Sequence, residues 1–166
     1  MPTYTGIGSR NAPPVVLDAM EDLAVTLREL GYHLRSGGAK GSDQAFGRGA
    51  GQDATIYLPW PGYGVVEDGA QEFFPGDFPE RIKLLAESAH AAWSRVHPRY
   101  RPFHYRNVYQ VLGHREEPEP SQFIVCWTPM GKVVGGTATA LRLAYRFKIP
   151  VFNLAVMPMT RVPDLI

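Results

Sequence analysis

Short apolar runs alternate along the chain with longer stretches in which apolar residues recur at helical spacing. Pro2 to Ile7 reads as a strand that ends in a glycine-bearing turn. Pro13-Pro14 then precede a helix in which Val16, Met20, Leu23, Ala24, Leu27 and Leu30 fall on one face, and Gly31 suits the left-handed position after it. Tyr32 to Arg35 reads as a second strand, Asp43 can cap a short helix to about Arg48, and Ala54 to Leu58 is a third strand. Residues 59–80 break the rhythm. Pro59-Trp60-Pro61-Gly62-Tyr63-Gly64 and Phe73-Phe74-Pro75-Gly76-Asp77-Phe78-Pro79 are too aromatic for disorder and predict a long ordered loop, suited to act as a lid.

Helical spacing returns with Ile82, Leu85, Ala86, Ala89, Trp93 and Val96, and a further helix covers about Phe103 to Gly113. The acidic, proline-bearing Glu116-Glu117-Pro118-Glu119-Pro120 is a solvated connection. Phe123 to Trp127 is a buried strand, Thr137 to Phe147 a crossover helix, and Ile149 to Leu154 the last strand. This order predicts one α/β domain over residues 1–166: a Rossmann-like, mostly parallel five-stranded sheet with helices on both faces. Residues 155–166, with Pro158 and Pro163, predict an irregular tail.

Composition narrows the function classes only a little. With 166 residues, 45% of them apolar, the chain can build one core, and a formal charge of +1 supplies no global pull toward nucleic acid or membrane. No apolar run approaches the roughly 20 residues of a membrane span, and no basic-then-apolar segment follows Met1. The expectation is a cytoplasmic protein without a membrane partner. The lone Cys126, inside Phe123-Ile124-Val125-Cys126-Trp127, reads as a small buried hydrophobe.

The candidate chemistry lies in three glycine turns, each between an apolar run and a helical pattern. They are Thr5-Gly6-Ile7-Gly8-Ser9-Arg10, Ser36-Gly37-Gly38-Ala39-Lys40-Gly41-Ser42-Asp43 and Val134-Gly135-Gly136-Thr137-Ala138-Thr139. Glycine admits a ligand close to backbone amides, and a helix starting beyond the turn adds its positive end, so such turns suit an anion, usually phosphate. Gly6, Gly8 and Ser9 offer a first cradle, Ser36, Gly37, Gly38 and Gly41 a second, and Gly135, Gly136 and Thr137 a third. Arg10 is suited to a bidentate pair with phosphate. Each has a plainer reading. Ser9 and Asp43 also serve as caps, the glycines as close-packing points, and Arg10 as a solvated side chain. Asp43 can otherwise hydrogen-bond a ribose hydroxyl or act as a base.

These three motifs, covering about half the chain in order, resemble the SLOG superfamily of Rossmann-like proteins. That group includes the DNA processing protein A recombination mediators, the lonely-guy phosphoribohydrolases and small stand-alone YspA-like nucleotide-binding proteins. The Pro59-to-Gly64 loop and Arg106-Asn107 look most like the stand-alone members, and that resemblance implies Arg106 and Asn107 as ligand contacts. Lonely-guy hydrolases place a glutamate just beyond their glycine-threonine turn. Here Thr137-Ala138-Thr139-Ala140-Leu141-Arg142 carries no carboxylate, so that mechanism does not transfer.

The expected function is recognition of a nucleotide or phosphosugar, with N-glycosidic hydrolysis as an extension. Asp43, Glu67, Asp68, Glu72 and Asp77 are then the carboxylates available for catalysis. A non-catalytic sensor or sequestering protein uses the same cradle, and a DNA-binding recombination accessory is the third reading. The arginines from Arg81 to Arg115, interleaved with Tyr100, Phe103, Tyr105 and Tyr109, have the composition of a single-strand surface but equally that of a solvated helix face. His90, His97, His104 and His114 lack metal-motif spacing, so neither a metal nor a bound cofactor is expected. A homodimer or higher homo-oligomer is compatible with the family resemblance.

Overall fold

Six strands lie side by side, and every neighbouring pair is parallel. In chain order they are β1 (Thr3–Gly8), β2 (His33–Ser36), β3 (Ala54–Tyr57), β4 (Gln71–Phe73), β5 (Ile124–Trp127) and β6 (Val151–Asn153). Their spatial order is β4-β3-β2-β1-β5-β6. The helices are α1 (Pro14–Glu29), α2 (Ser42–Ala50), α3 (Glu80–Ala89), α4 (Arg101–Leu112), α5 (Ala138–Arg146) and α6 (Val162–Leu165). The structure, a computed structural model, describes residues 1–158 and 161–166.

Strand alternation divides the core in two. Tyr4, Leu34, Ile56 and Val125 point to one face and pack with Met20, Leu23 and Leu27 of α1 and Phe46 of α2. Ile7, Tyr57, Ile124 and Cys126 point to the other and pack with Ile82 of α3, Val108 and Leu112 of α4, and Leu143 of α5. Cys126 is completely buried, and desolvation pushes its thiol up to about 12, so it behaves as a hydrophobe. Fully burying one such large apolar side chain contributes about 1.5–3 kcal/mol.

Because the chain runs outward from β1 through β2 and β3, then returns to place β5 on β1's other side, the strand order reverses between β1 and β5. The loops leaving these two strands must diverge to opposite faces. That leaves a crevice beyond their carboxyl ends, the usual ligand position in open parallel sheets.

Three elements depart from the sequence expectations. The sheet has six strands rather than five, because Gln71–Phe73 inside the expected loop pairs with β3. Gln71 and Glu72 are exposed and carry no strand-like apolar alternation; Phe73 anchors the strand by its edge-to-face contact with Tyr57, ring centroids 5.8 Å apart. The helical spacing from Ile82 to Val96 does not form one helix: α3 stops at Ala89, and a short 3-10 turn follows at Trp93–Arg95. Lastly, the C-terminal stretch contains α6, whose Val162 is fully buried in the Tyr4–Phe152 core; residues 159–160 of that stretch lie outside the described residues.

Two glycines set the closeness of the layers. A Cβ on Gly6 would lie 2.6 Å from the Phe46 ring, and one on Gly49 would lie 2.2 Å from the Glu21 carbonyl oxygen of α1. Backbone is the obstacle at Gly49, so relief requires α1 and α2 to separate. Gly49→Ala is therefore expected to destabilise the fold by about 1–3 kcal/mol, as overpacked cores do. Urea denaturation measures it; a midpoint equal to wild type would show that the two helices part freely.

Candidate ligand-binding cavity at the strand-order reversal

A cavity of about 480 Å³ opens where β1 and β5 diverge. The three glycine turns differ sharply in what they do there. After β1, a Cβ on Gly8 would strike Ser42 Oγ at 2.7 Å and the Trp127 carbonyl oxygen at 2.8 Å, so glycine lets three segments meet. Ser9 N–H donates to the Trp127 oxygen (3.0 Å), and Ser42 Oγ donates to the Ser9 oxygen (2.7 Å). Ser9 Oγ accepts from Asn11 N–H at 3.1 Å, and its own hydroxyl proton remains available to a ligand. Gly8, Ser9, Arg10 and Asn11 all line the cavity.

The second turn packs chain against chain. Ser36 Oγ donates to the Gly6 oxygen (2.6 Å). A Cβ on Gly37 would fall 2.4 Å from Arg106 Nη1, one on Gly38 2.9 Å from the Val65 oxygen, and one on Gly41 2.5 Å from the Arg10 oxygen. Gly6, Ser36, Gly37, Gly38 and Gly41 therefore lie outside the cavity wall, and from this turn only Ala39 and Asp43 reach it.

The third turn is open. Gly135 takes φ +69°, a left-handed conformation that favours glycine, and nothing lies within 4 Å of a Cβ built on Gly136. Thr137 makes no side-chain cap to α5; Ala138 N–H donates to the Gly135 oxygen (3.2 Å), and the following first-turn amides have no capping side chain. Gly135, Gly136 and Thr137 line the cavity opposite Gly8 and Ser9.

Helix α4 forms the remaining wall. Arg106, 4% exposed, donates from Nη1 to the Gly37 oxygen (2.5 Å) and the Tyr57 oxygen (3.0 Å), and from Nε to Asn107 Oδ1 (2.8 Å). Asn107 Nδ2 donates in turn to the Gly136 oxygen at 2.9 Å. The pair thus ties α4 to both the second and the third turn. Arg106 also sits over the Tyr63 and Phe103 rings, and Trp60, Tyr63 and Phe103 pack edge-to-face with one another. Arg10 is exposed, lies 5.6 Å over Phe103 and donates to Tyr63 Oη at 3.2 Å.

Two titrating groups in the wall are displaced. Desolvation pushes the Asp43 carboxyl up to about 6, although Arg106, the Ala39 amide (3.3 Å) and Arg10 act in the opposite sense. Burial, with His90 and Arg106 nearby, pushes His104 down to about 4, so its imidazole is neutral at neutral pH.

Of the carboxylates named from sequence, Asp43 alone lines the cavity. Glu67 packs toward Gly47 of α2, while Asp68, Glu72 and Asp77 are exposed elsewhere. Sequence reasoning passed over Asn11, His104, Gln110 and Thr128 as ligand contacts, yet all four line the cavity. A signal existed: Phe103, Arg106, Asn107 and Gln110 share one helical face by their spacing. Among the described residues no cluster of three His, Cys, Asp or Glu side chains is placed to hold a metal, and no helix is long and apolar enough to cross a membrane.

Among solved structures the chain is similar to DNA processing protein A from Helicobacter pylori, described for its single-stranded DNA binding mode. The two share 18% identity with a TM-score of 0.59, over 92% of this chain and 64% of that one. The chain therefore spans just under two thirds of that protein's length, and the likeness shows a Rossmann-type fold like that of DNA processing protein A. No protein-family model matches the chain, and no curated protein matches it.

The raised Asp43 value carries a stability consequence. Folding favours the neutral acid, so this contribution is full below the unfolded value near 4 and is lost as pH rises through about 6. A displacement from 3.8 to about 6 corresponds to about 3 kcal/mol. Wild type should accordingly lose stability relative to Asp43→Asn between pH 4 and pH 7.5. Parallel denaturation curves for the two proteins across that range would refute the buried-acid assignment.

Proposed function

We propose that the protein binds a nucleotide or a nucleotide-derived phosphate ester in the cavity. The observation that carries this reading is the convergence on one concave site of the Gly8-Ser9 turn, exposed Arg10 and the uncapped start of α5 behind Gly135-Gly136. Backbone amides, a helix N-terminus and a guanidinium together favour an anion. The volume falls within the usual range for small-molecule sites, roughly 300–1,000 Å³. Phe103 and the exposed Tyr100 supply faces for a base at the rim.

The same features, with the motif order along the chain, support membership of the SLOG superfamily among its small stand-alone members. They favour recognition, as in a sensor or sequestering protein, over turnover. Any N-glycosidic cleavage in this cavity has Asp43 as its carboxylate, since Glu67, Asp68, Glu72 and Asp77 stand away from it.

A second reading, single-stranded nucleic acid along the cavity rim, is supported by Arg99 over Tyr100 (5.5 Å) and Arg101 over Trp93 (5.1 Å), beside the fold likeness to a protein that binds single-stranded DNA. Here the two readings diverge experimentally. Binding through the rim should weaken steeply with salt and vanish in Arg99→Glu/Arg101→Glu. We expect no such gel shift; a tight, salt-sensitive one removed by this double change would put the nucleic-acid reading first.

Gly136→Asp tests the nucleotide reading directly. Space exists for the new side chain, so the fold should survive, while its carboxylate faces the phosphate position. Native mass spectrometry of wild type purified from cells is expected to show a copurified nucleotide that Gly136→Asp lacks, with unchanged circular dichroism. A nucleotide retained by the folded variant would end the cradle assignment.

A further inference from the structure

The cavity floor differs chemically from its mouth. Gln110 of α4 is 2% exposed, yet it lines the cavity. Its backbone oxygen accepts from Thr5 Oγ1 (2.6 Å), which pins this turn of α4 to β1. Its side-chain carboxamide takes part in no hydrogen bond among the described residues, and the residue lines the cavity, where a ligand can reach that group. The amide nitrogen lies so close to Gly37 that a Cβ there would be 2.2 Å away. Asp43 approaches the same turn from α2, with one carboxyl oxygen accepting from Ala39 N–H at 3.3 Å. A buried carboxyl and an unpartnered carboxamide therefore lean on residues 37–39 from two helices and face one space.

Such a floor offers a carboxyl and a carboxamide rather than a set of free donors, and suits neutral hydroxyls better than phosphate. Asp43 accepts hydrogen bonds when ionised, and Gln110 offers both a donor and an acceptor. The Arg106 charge offsets that of Asp43, but its Nη1 and Nε donors are already directed to the Gly37 and Tyr57 carbonyls and to Asn107. The anion is thereby assigned to the glycine turns at the mouth, and a flat base to Tyr100 and Phe103 at the rim. In a nucleotide the group joining phosphate to base is the sugar.

We propose that Asp43 and Gln110 form a sugar-hydroxyl subsite, which selects ribo- over 2-deoxyribo-ligands in the cavity. This rests on the nucleotide reading above and adds the sugar class to it. A ribose presents two adjacent hydroxyls to the pair, whereas the 2-deoxy sugar presents one and leaves a buried polar group unmatched. Sites built around a hydroxyl discriminate strongly against the analogue that lacks it.

The test uses two matched pairs of probes in calorimetric titrations of the whole protein: AMP with 2′-deoxy-AMP, and ribose 5-phosphate with 2-deoxyribose 5-phosphate. The ribo member of each pair is expected to bind about tenfold or more tightly than its partner. In Gln110→Met and in Asp43→Ala, each verified as folded by circular dichroism, the ratio should collapse to about twofold or less. The wild-type comparison stands by itself should either variant fail to fold. Equal binding of ribo and deoxy members overturns the subsite while leaving the nucleotide reading intact, and also points to the floor reading a base edge instead. Absence of binding by all four probes overturns both.

Discussion

A buried guanidinium holds the candidate site together. Arg106 reaches across from α4 to the carbonyl of Gly37 beyond β2 and the carbonyl of Tyr57 at the end of β3, and it orients Asn107 toward the Gly136 carbonyl. Two strand ends, one helix and the third glycine turn are thus spaced by a single side chain. Without it, buried carbonyl oxygens would lack donors at about 1–3 kcal/mol each. Asp43 would lose the largest opposing influence on its desolvated carboxyl. Burying a cation so completely lowers its own pKa, and the surrounding carbonyls, Asp43 and the Tyr63 and Phe103 rings offset that cost.

The glycine turns divide into two kinds on this frame. Where a glycine faces another backbone or a buried side chain, as at Gly37, Gly38 and Gly41, its missing side chain lets segments touch. Where it faces open space, as at Gly135 and Gly136, the backbone is available to a ligand. The long segment after β3 depends on the first kind: Val65 N–H donates to the Gly38 oxygen at 3.1 Å, and Tyr63 reaches both Arg10 and Arg106. That segment thereby supports the cavity wall through Trp60 and Tyr63, which pack on Phe103 of α4, while its later part supplies an edge strand.

Much of the fold was legible in the chain, because apolar spacing reports which faces must be buried. The periodicity of Met20, Leu23 and Leu27, the run Phe123 to Trp127 and the β-α alternation determine helices, strands and a parallel sheet, whichever partners they meet. Glycines and a helix start after an apolar run likewise mark Gly8-Ser9 and Gly135-Thr137, since close approach to backbone is a local property. Tertiary structure alone decided the rest. β4 exists because Phe73 finds Tyr57 across the sheet, not because its own sequence alternates. Asp43 faces the cavity while Glu67 to Asp77 do not, and Gln110 joins it there, because strand order and the reach of α4 set those distances. Local sequence encodes which surface an element must bury; which polar groups then share an enclosed space depends on residues tens of positions apart in the chain.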